Sequence, residues 1–380
     1  MKVTCLQENL QRALAQASRA VATKTALPVL SNVLLVAEDG QLRIAATDLH
    51  IGITTRIPAA IEEEGRITVD ARLLAEFVNT LPNEQVELAT SPSRSMLNIT
   101  CGRTSAAING IDAEDFPVMP TLSADALVIE IDPAYFREMV SQVELAAATD
   151  DSRPVLAGVL TRVEGSKVTL AAADGFRLAV REGELPAPGP ERLEAIVPAR
   201  AFRELSRIVG DSHEPVKLSI TPTQSQLVAQ VGQTDFLSSL IEGNFPDFRQ
   251  IVPREFRVKV EVDREQLAAA VRRASYFARD NNDVIRLAFK GGEEEFDLGT
   301  LEVTANAAER GNSQSIIDAA VSGEGFQVAF NARYLSDVLG VLRQPKVVLG
   351  LNGPNQAGVV KPAGDDNYSH VIMPMVIGAN

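Results

Sequence analysis

Residues 27–48 read LPVLSNVLLVAEDGQLRIAATD, and residues 153–174 read RPVLAGVLTRVEGSKVTLAAAD. The two stretches align without a gap. Pro28 and Pro154 are 126 residues apart, and so are Asp48 and Asp174. Two anchors with one offset mark an internal repeat, and the chain has to be read as copies of one unit before anything else. Within each copy, apolar and polar residues alternate on either side of a turn signal, Glu38-Asp39-Gly40 in one and Glu164-Gly165-Ser166 in the other. That pattern predicts an antiparallel hairpin in each.

Working outward, a second module occurs three times: ITVDARLLAEFVNTLPNEQVELA, AIVPARAFRELSRIVGDSHEPVKLSI and QVAFNARYLSDVLGVLRQPKVVLGL, marked by Ala71, Ala199 and Ala332. A third element, EDFPVMP, returns as GNFPDFRQIVP, with Phe116 and Phe245 separated by 129 residues; the last copy ends instead on YSHVIMPM. The order helix, strands, helix, strands is thus expected three times, in domains of residues 1–121, 122–253 and 254–380. The first helix of each copy carries apolar residues at helical spacing: Leu6, Leu10, Leu14 and Val21; Phe136, Val140, Val143 and Ala147; Leu267, Val271 and Ala274. Asp132-Pro133 and Asp263 suit helix N-termini. The fold class is α+β, three tandem units with two helices on one face of antiparallel sheet.

At 380 residues the chain is too long for one core. Its 45% hydrophobic and 23% charged residues are those of a globular protein. The start, MKVTCLQENLQRALAQ, has no apolar run of signal-peptide type, and no segment reaches the roughly 20 apolar residues that span a bilayer, so a cytoplasmic protein is expected. Cys5 and Cys101 lie outside any CxxC or CxH spacing and read as buried thiols.

A net charge of −14 argues against a polyanionic partner until its distribution is considered. Six helix windows, 6–24, 71–81, 133–148, 199–209, 264–279 and 332–343, together carry seven net positive charges, which leaves −21 for the rest. Arginine is a good helix former, and solvated helix faces would explain part of this. The functional reading is an acidic sheet exterior with helices that turn a basic face toward DNA. Phosphate contacts carry no sequence information, so such a surface can slide. With no Trp and four Tyr, a stacking platform for single strands is not expected.

Two other classes of function compete. Asp48 and Asp174, at equivalent places in two copies, would suit a shared catalytic carboxylate pair. The third copy has Asn306 there, and copies so spaced fall in separate domains, so turn or cap roles are expected instead. His50, His213 and His370 lack a ligand partner at helical spacing, and no GxGxxG, GxSxG, HExxH or phosphate-loop pattern occurs. No enzymatic activity, metal or cofactor is expected. A scaffold binding only proteins would share the repeats but gives no reason for arginine to concentrate on the helices.

The segments LPVLSNVLL, AATDLHIGI, DDSRPVLAGVL, AADGFRLAV, NFPDFRQIVP and VIMPM, in this order and spacing, resemble the bacterial DNA polymerase III β subunit, the sliding clamps, over essentially the whole chain. The resemblance implies a ring of two chains joined head to tail around duplex DNA, with helices inside and sheets outside. It places Ile108 of one chain near Tyr276 and Phe277 of the other. It implies an apolar cleft for short peptides of polymerases, the clamp loader and repair proteins. One wall comprises Leu156, Gly175, Arg177, Leu178, Pro246 and Ile251, and the other Asn331, Tyr334, Val371, Met373, Pro374 and Met375. Met repacks around different partners, and Pro holds a tail extended. Lys24 and Arg153 become phosphate contacts at the inner rim, with Arg72, Arg137, Arg203, Arg207 and Arg272 among the arginines of the diffuse helix field. The sequence departs from the family pattern at Asp150, Gln250 and Val376. The extension Val376 to Asn380 and the acidic stretch around Glu293 have no assigned role, and loading onto DNA is expected to need a separate ATP-driven loader.

Overall fold

The computed structural model of the chain describes residues 1–90, 95–123, 126–150, 152–291, 299–307 and 309–375. The acidic stretch around Glu293 and the extension from Val376 lie outside the described residues. Two compact units are formed, the first from Met1–Phe136 and Arg200–Leu240, the second from Arg137–Ala199 and Ile241–Asn380. Among the described residues each unit is built on one antiparallel sheet, of 13 strands in the first and 12 in the second. The central repeat supplies strands to both: Ile129–Ile131 and the strands within 216–239 to the first sheet, and those within 158–198 to the second.

Among the described residues the α-helices are α1 (Gln7–Ala17), α2 (Ala71–Asn79), α3 (Pro133–Glu144), α4 (Ala199–Val209), α5 (Arg264–Ala278) and α6 (Ala332–Val341). Four of these starts carry a capping side chain just before the helix, whereas Leu6 before α1 makes no such cap. Asp70, Asp132 and Asp263 accept from the backbone N–H three residues on, at 2.7, 2.8 and 2.8 Å, and Asn331 accepts from Arg333 N at 2.9 Å. Each satisfies an amide that the helix leaves unbonded. In the first copy the helix is shorter than its window: it ends at Ala17, passes through a 3-10 turn at Ser18–Ala20, and leaves Lys24 in the connecting segment. Leu10, Ala13, Leu14 and Ala17 form the buried stripe of α1, which packs on strands Gln41–Thr47 and Ile51–Pro58 and beside α2. Phe136 of α3 and Phe202 of α4 meet edge to face at 5.9 Å. In the second unit α5 buries Leu267, Ala270, Val271 and Ala274 against strands Val284–Lys290, Gly299–Ala307 and Gly311–Ser322.

The repeat is reproduced bond for bond. Leu34 pairs with Ala45 and Glu38 with Gln41 in one hairpin, and Leu160 with Ala171 and Glu164 with Lys167 in the other. The turns demand positive φ, at Asp39 (51°) and Gly40 (72°) in the first and at Gly165 (63°) in the second. Pro28–Ser31 and Pro154–Ala157 are both single 3-10 turns, and Ala22 N→Leu30 O (3.0 Å) is matched by Ala148 N→Leu156 O (2.8 Å).

Candidate functional site: an apolar cleft and an arginine-bearing helix face

The residues expected to line the cleft all lie in the second unit. The floor of the cleft is a cluster that includes Leu160, Ala171, Leu178, Ile196, Phe248 and Val371, all buried, with Val155, Phe245 and Val252 packed on it but still partly exposed. Leu178 and Val371 are register partners of strands Arg177–Glu184 and Tyr368–Ile372, so the two residues expected on opposite walls sit side by side. Beyond them the chain keeps going as an extended tail: Met373 N donates to Phe176 O (2.8 Å) and Met375 N to Ala329 O (2.8 Å), with Pro374 between. Met373 is 44% exposed, Ile251 is 47% exposed, and Pro246 is exposed, so apolar surface is offered to solvent around a buried floor. Leu156 is half-buried on the 3-10 turn of the same wall.

Arg177 fixes this arrangement. Its guanidinium bonds Asp174 Oδ2 through Nε (3.0 Å) and Asp337 Oδ2 through a terminal nitrogen (2.6 Å), and lies 4.4 Å from the centre of the Tyr334 ring. The side chain is only 11% exposed. An arginine with two carboxylates and an aromatic face is held in one geometry, and through it the strand is tied to α6. Burial, reinforced by Asp174 and Asp337 against the opposing Arg177, pushes the Tyr334 phenol up from its ordinary range. Asn331 is used as the N-cap of α6. Asp337, Phe176 (60% exposed) and Phe248 were not assigned to the cleft from sequence, and Asp174 was read there only as a turn or cap residue. Asp337 carried a signal, since it stands three residues after Tyr334 on the same helix face.

The turn at Asp174 disposes of the carboxylate-pair alternative. Asp174 Oδ1 accepts from Phe176 N (2.8 Å) and Arg177 N (3.0 Å), just as Asp48 Oδ1 accepts from His50 N (3.0 Å) and Ile51 N (2.7 Å). Both are turn-forming aspartates with an arginine on the other oxygen, Arg177 for Asp174 and Arg200 (3.1 Å) for Asp48. Gly175 has φ +96°, and a Cβ there would lie 2.8 Å from the Arg153 guanidinium, which donates to Asp174 O (2.9 Å). Arg153 is therefore folded over this turn.

Lys24 in the connecting segment and Arg72, Arg203, Arg207 and Arg272 on the helices are exposed, whereas Arg137 is half-buried. Arg72 pairs with Glu76 (2.8 Å) and Arg207 with Glu204 (2.5 Å). The Arg72–Glu76 pair is exposed on both sides, whereas Glu204 is buried and also faces Arg19 (3.4 Å), so a phosphate competes more readily for Arg72 than for Arg207. Lys24 and Arg272 have no acidic partner within 4 Å among the described residues. Ile108 pairs with Leu97 in its own sheet and is 6% exposed. Tyr276 is 50% exposed, with Arg279 5.4 Å from its ring centre, and Phe277 is half-buried.

His370 is wholly buried. Tyr368 OH donates to Gln142 O (2.9 Å) and its oxygen faces His370 Nδ1 (3.2 Å), which puts the imidazole proton on Nδ1 and leaves a buried Nε2 without a partner. Burial first, and Arg177 second, push this histidine down to about 3. Cys5 is buried, and burial pushes its thiol up to about 12. Among the described residues no three metal-ligating side chains gather, and no helix is long and apolar enough to cross a membrane.

Comparison with known proteins is consistent along the whole chain. Residues 1–120, 130–247 and 249–376 match the N-terminal, central and C-terminal domains of the DNA polymerase III beta subunit. The beta sliding clamp of Synechocystis is 32% identical over 99% of both chains, and that of Bacillus subtilis 28% identical over 99% of both. Among solved structures, the Bacillus subtilis DNA polymerase sliding clamp superposes with a TM-score of 0.93, over 99% of both chains at 28% identity. The DNA polymerase III subunit beta of Pseudomonas aeruginosa does so with a TM-score of 0.91, over 99% of this chain and 100% of that one at 31% identity. Repeated units of this build, with this likeness throughout, define the class as sliding clamps. Within it the chain belongs to the DNA polymerase III beta subunit family: it is a DNA sliding clamp of replication, a processivity factor and not an enzyme.

Proposed function

We infer that two copies of the chain close head to tail into a ring around duplex DNA, each contributing three clamp domains, residues 1–121, 122–253 and 254–380. The observation that carries this is the concentration of exposed arginine on the helices of a chain with net charge −14. A basic lining within an acidic body holds DNA that threads it and discourages indiscriminate binding elsewhere. Arg72, Arg203, Arg207 and Arg272, with Lys24 and Arg153 at the rim and Arg137 set deeper, supply the phosphate contacts. Tyr276 and Phe277 serve the joint between copies, and head-to-tail contacts of this kind must close or they polymerise.

The apolar cleft takes short linear peptides of the DNA polymerase III catalytic subunit, the clamp loader, other polymerases and repair proteins, in the cytoplasm where replication proceeds. A buried floor, an adaptable Met rim and the fixed Arg177–Tyr334 wall suit an extended peptide with apolar anchors. The test is twofold. Light scattering should give twice the 40.8 kDa chain mass. Synthetic peptides tiling the catalytic subunit should include one that binds once per chain and is lost on Ile251→Glu. A monomer at micromolar concentration, or a peptide insensitive to that change, contradicts the corresponding half of the reading.

A further inference from the structure

The first unit contains a second copy of the same cleft architecture. Strand Ile51–Pro58 corresponds to Arg177–Glu184 at the 126-residue offset, and the pairing Gly52 with Leu237 corresponds to Leu178 with Val371. The 3-10 turn at Pro28, the hairpin and the Asp48 turn all recur, as described above. What differs is the surface. Val29, Leu30 and Phe116 are 8%, 3% and 7% exposed, whereas their counterparts Val155, Leu156 and Phe245 remain half-exposed. Where the second unit has Leu178, the first has Gly52, and a Cβ at Gly52 would lie 2.6 Å from Met119 Sδ. Met119, from the linker after Phe116, has its thioether in the space that a side chain at position 52 would take.

We propose that this first-unit counterpart is a latent peptide site occupied by the chain's own linker, Phe116–Pro120, with Met119 acting as a built-in ligand, so that each chain offers one open cleft instead of two. The inference rests on the reading of the second-unit cleft as a peptide site. The occupant is seated in the structure, the ligand class is the same short apolar-anchored peptide, and the linker keeps its partner away by being permanently tethered. Tethering makes the contact intramolecular and gives it a high effective concentration, so a free peptide competes poorly until an anchor is removed. Two changes should expose the site. Met119→Ala removes the anchor, and Gly52→Leu restores the side chain present at Leu178 while pushing aside the flexible end of Met119.

The test is peptide stoichiometry by isothermal titration, with the tightest peptide of the tiling set as probe. Expected values are one per chain for wild type and two for M119A and for G52L. I251E closes the second-unit cleft, so M119A/I251E and G52L/I251E isolate the first unit and should still bind one. Binding by either double variant supports the latent site. No binding by either overturns it, whatever the wild type does. Wild type against I251E alone reports separately on the second-unit cleft.

Discussion

The two copies of the cleft share strands, registers, turn and capping aspartate, yet one is sealed and the other open. The difference resides in a few side chains and in the path of the linker. In the first unit the linker runs on from Phe116 to Met119 over Gly52. In the second, a 3-10 turn at Phe248–Gln250 buries Phe248 on the floor, and Leu178 lines the cleft instead of yielding space. A shared backbone scaffold thus decides where a cleft can be, and the linker decides whether it is available.

The largest expected effect probes the linkers directly. Phe248→Ala removes a buried aromatic from the floor and should cost about 3–5 kcal/mol, while Met119→Ala, at the half-buried equivalent place, should cost about 1–2 kcal/mol. Urea unfolding of both variants, with hydrogen exchange read separately in the two units, checks this. Equal losses would mean that the two linkers pack alike and would undo the contrast.

Acid should separate the units next. His370 in the second unit occupies the place of Phe236 in the first, each opposite the equivalent strand residue, Ala179 or Ile53. The buried imidazole, at about 3, refuses a proton that the unfolded chain accepts near 6.5. Its contribution is therefore complete above pH 6.5 and is lost as pH falls toward 3, at up to about 1.4 kcal/mol per pH unit. The second unit should lose exchange protection first between pH 6 and 4, and His370→Phe should flatten that decline. An unchanged slope in the variant would assign the acid sensitivity to other groups.

The smallest effect concerns the paired turns. Leu49 has φ +73° where its counterpart Gly175 has +96°. A left-handed leucine costs about 1–2 kcal/mol, so Leu49→Gly should raise stability by about 1 kcal/mol, and Gly175→Ala should lower it by a similar amount while displacing Arg153. Thermal melts of the two variants moving in the same direction would contradict the equivalence of the turns.

Much of this was legible in the residues. The offset of 126 between Pro28 and Pro154 fixed both hairpins and their registers, and Asp132 and Asp263 announced two helix starts, because these features depend on local chemistry. Leu178 and Val371, placed on opposite walls from sequence, are register partners through the pairing of the last strand, and Met373 N follows with a bond to Phe176 O. The Arg177 clasp on Asp337 was not visible, since it joins residues 160 apart through side-chain geometry alone. The sealing of the first cleft escaped notice because Gly52 carries meaning only once Met119 is seen beside it.

The central claim is topological, and one measurement addresses it most directly: retention of the loaded protein on nicked circular DNA against the same DNA linearised, in a single preparation supplied with a clamp loader. Retention on circles through a high-salt wash, with rapid loss from linear ends, is the predicted result. Equal retention on both forms would contradict encirclement and leave only ordinary, salt-sensitive DNA binding.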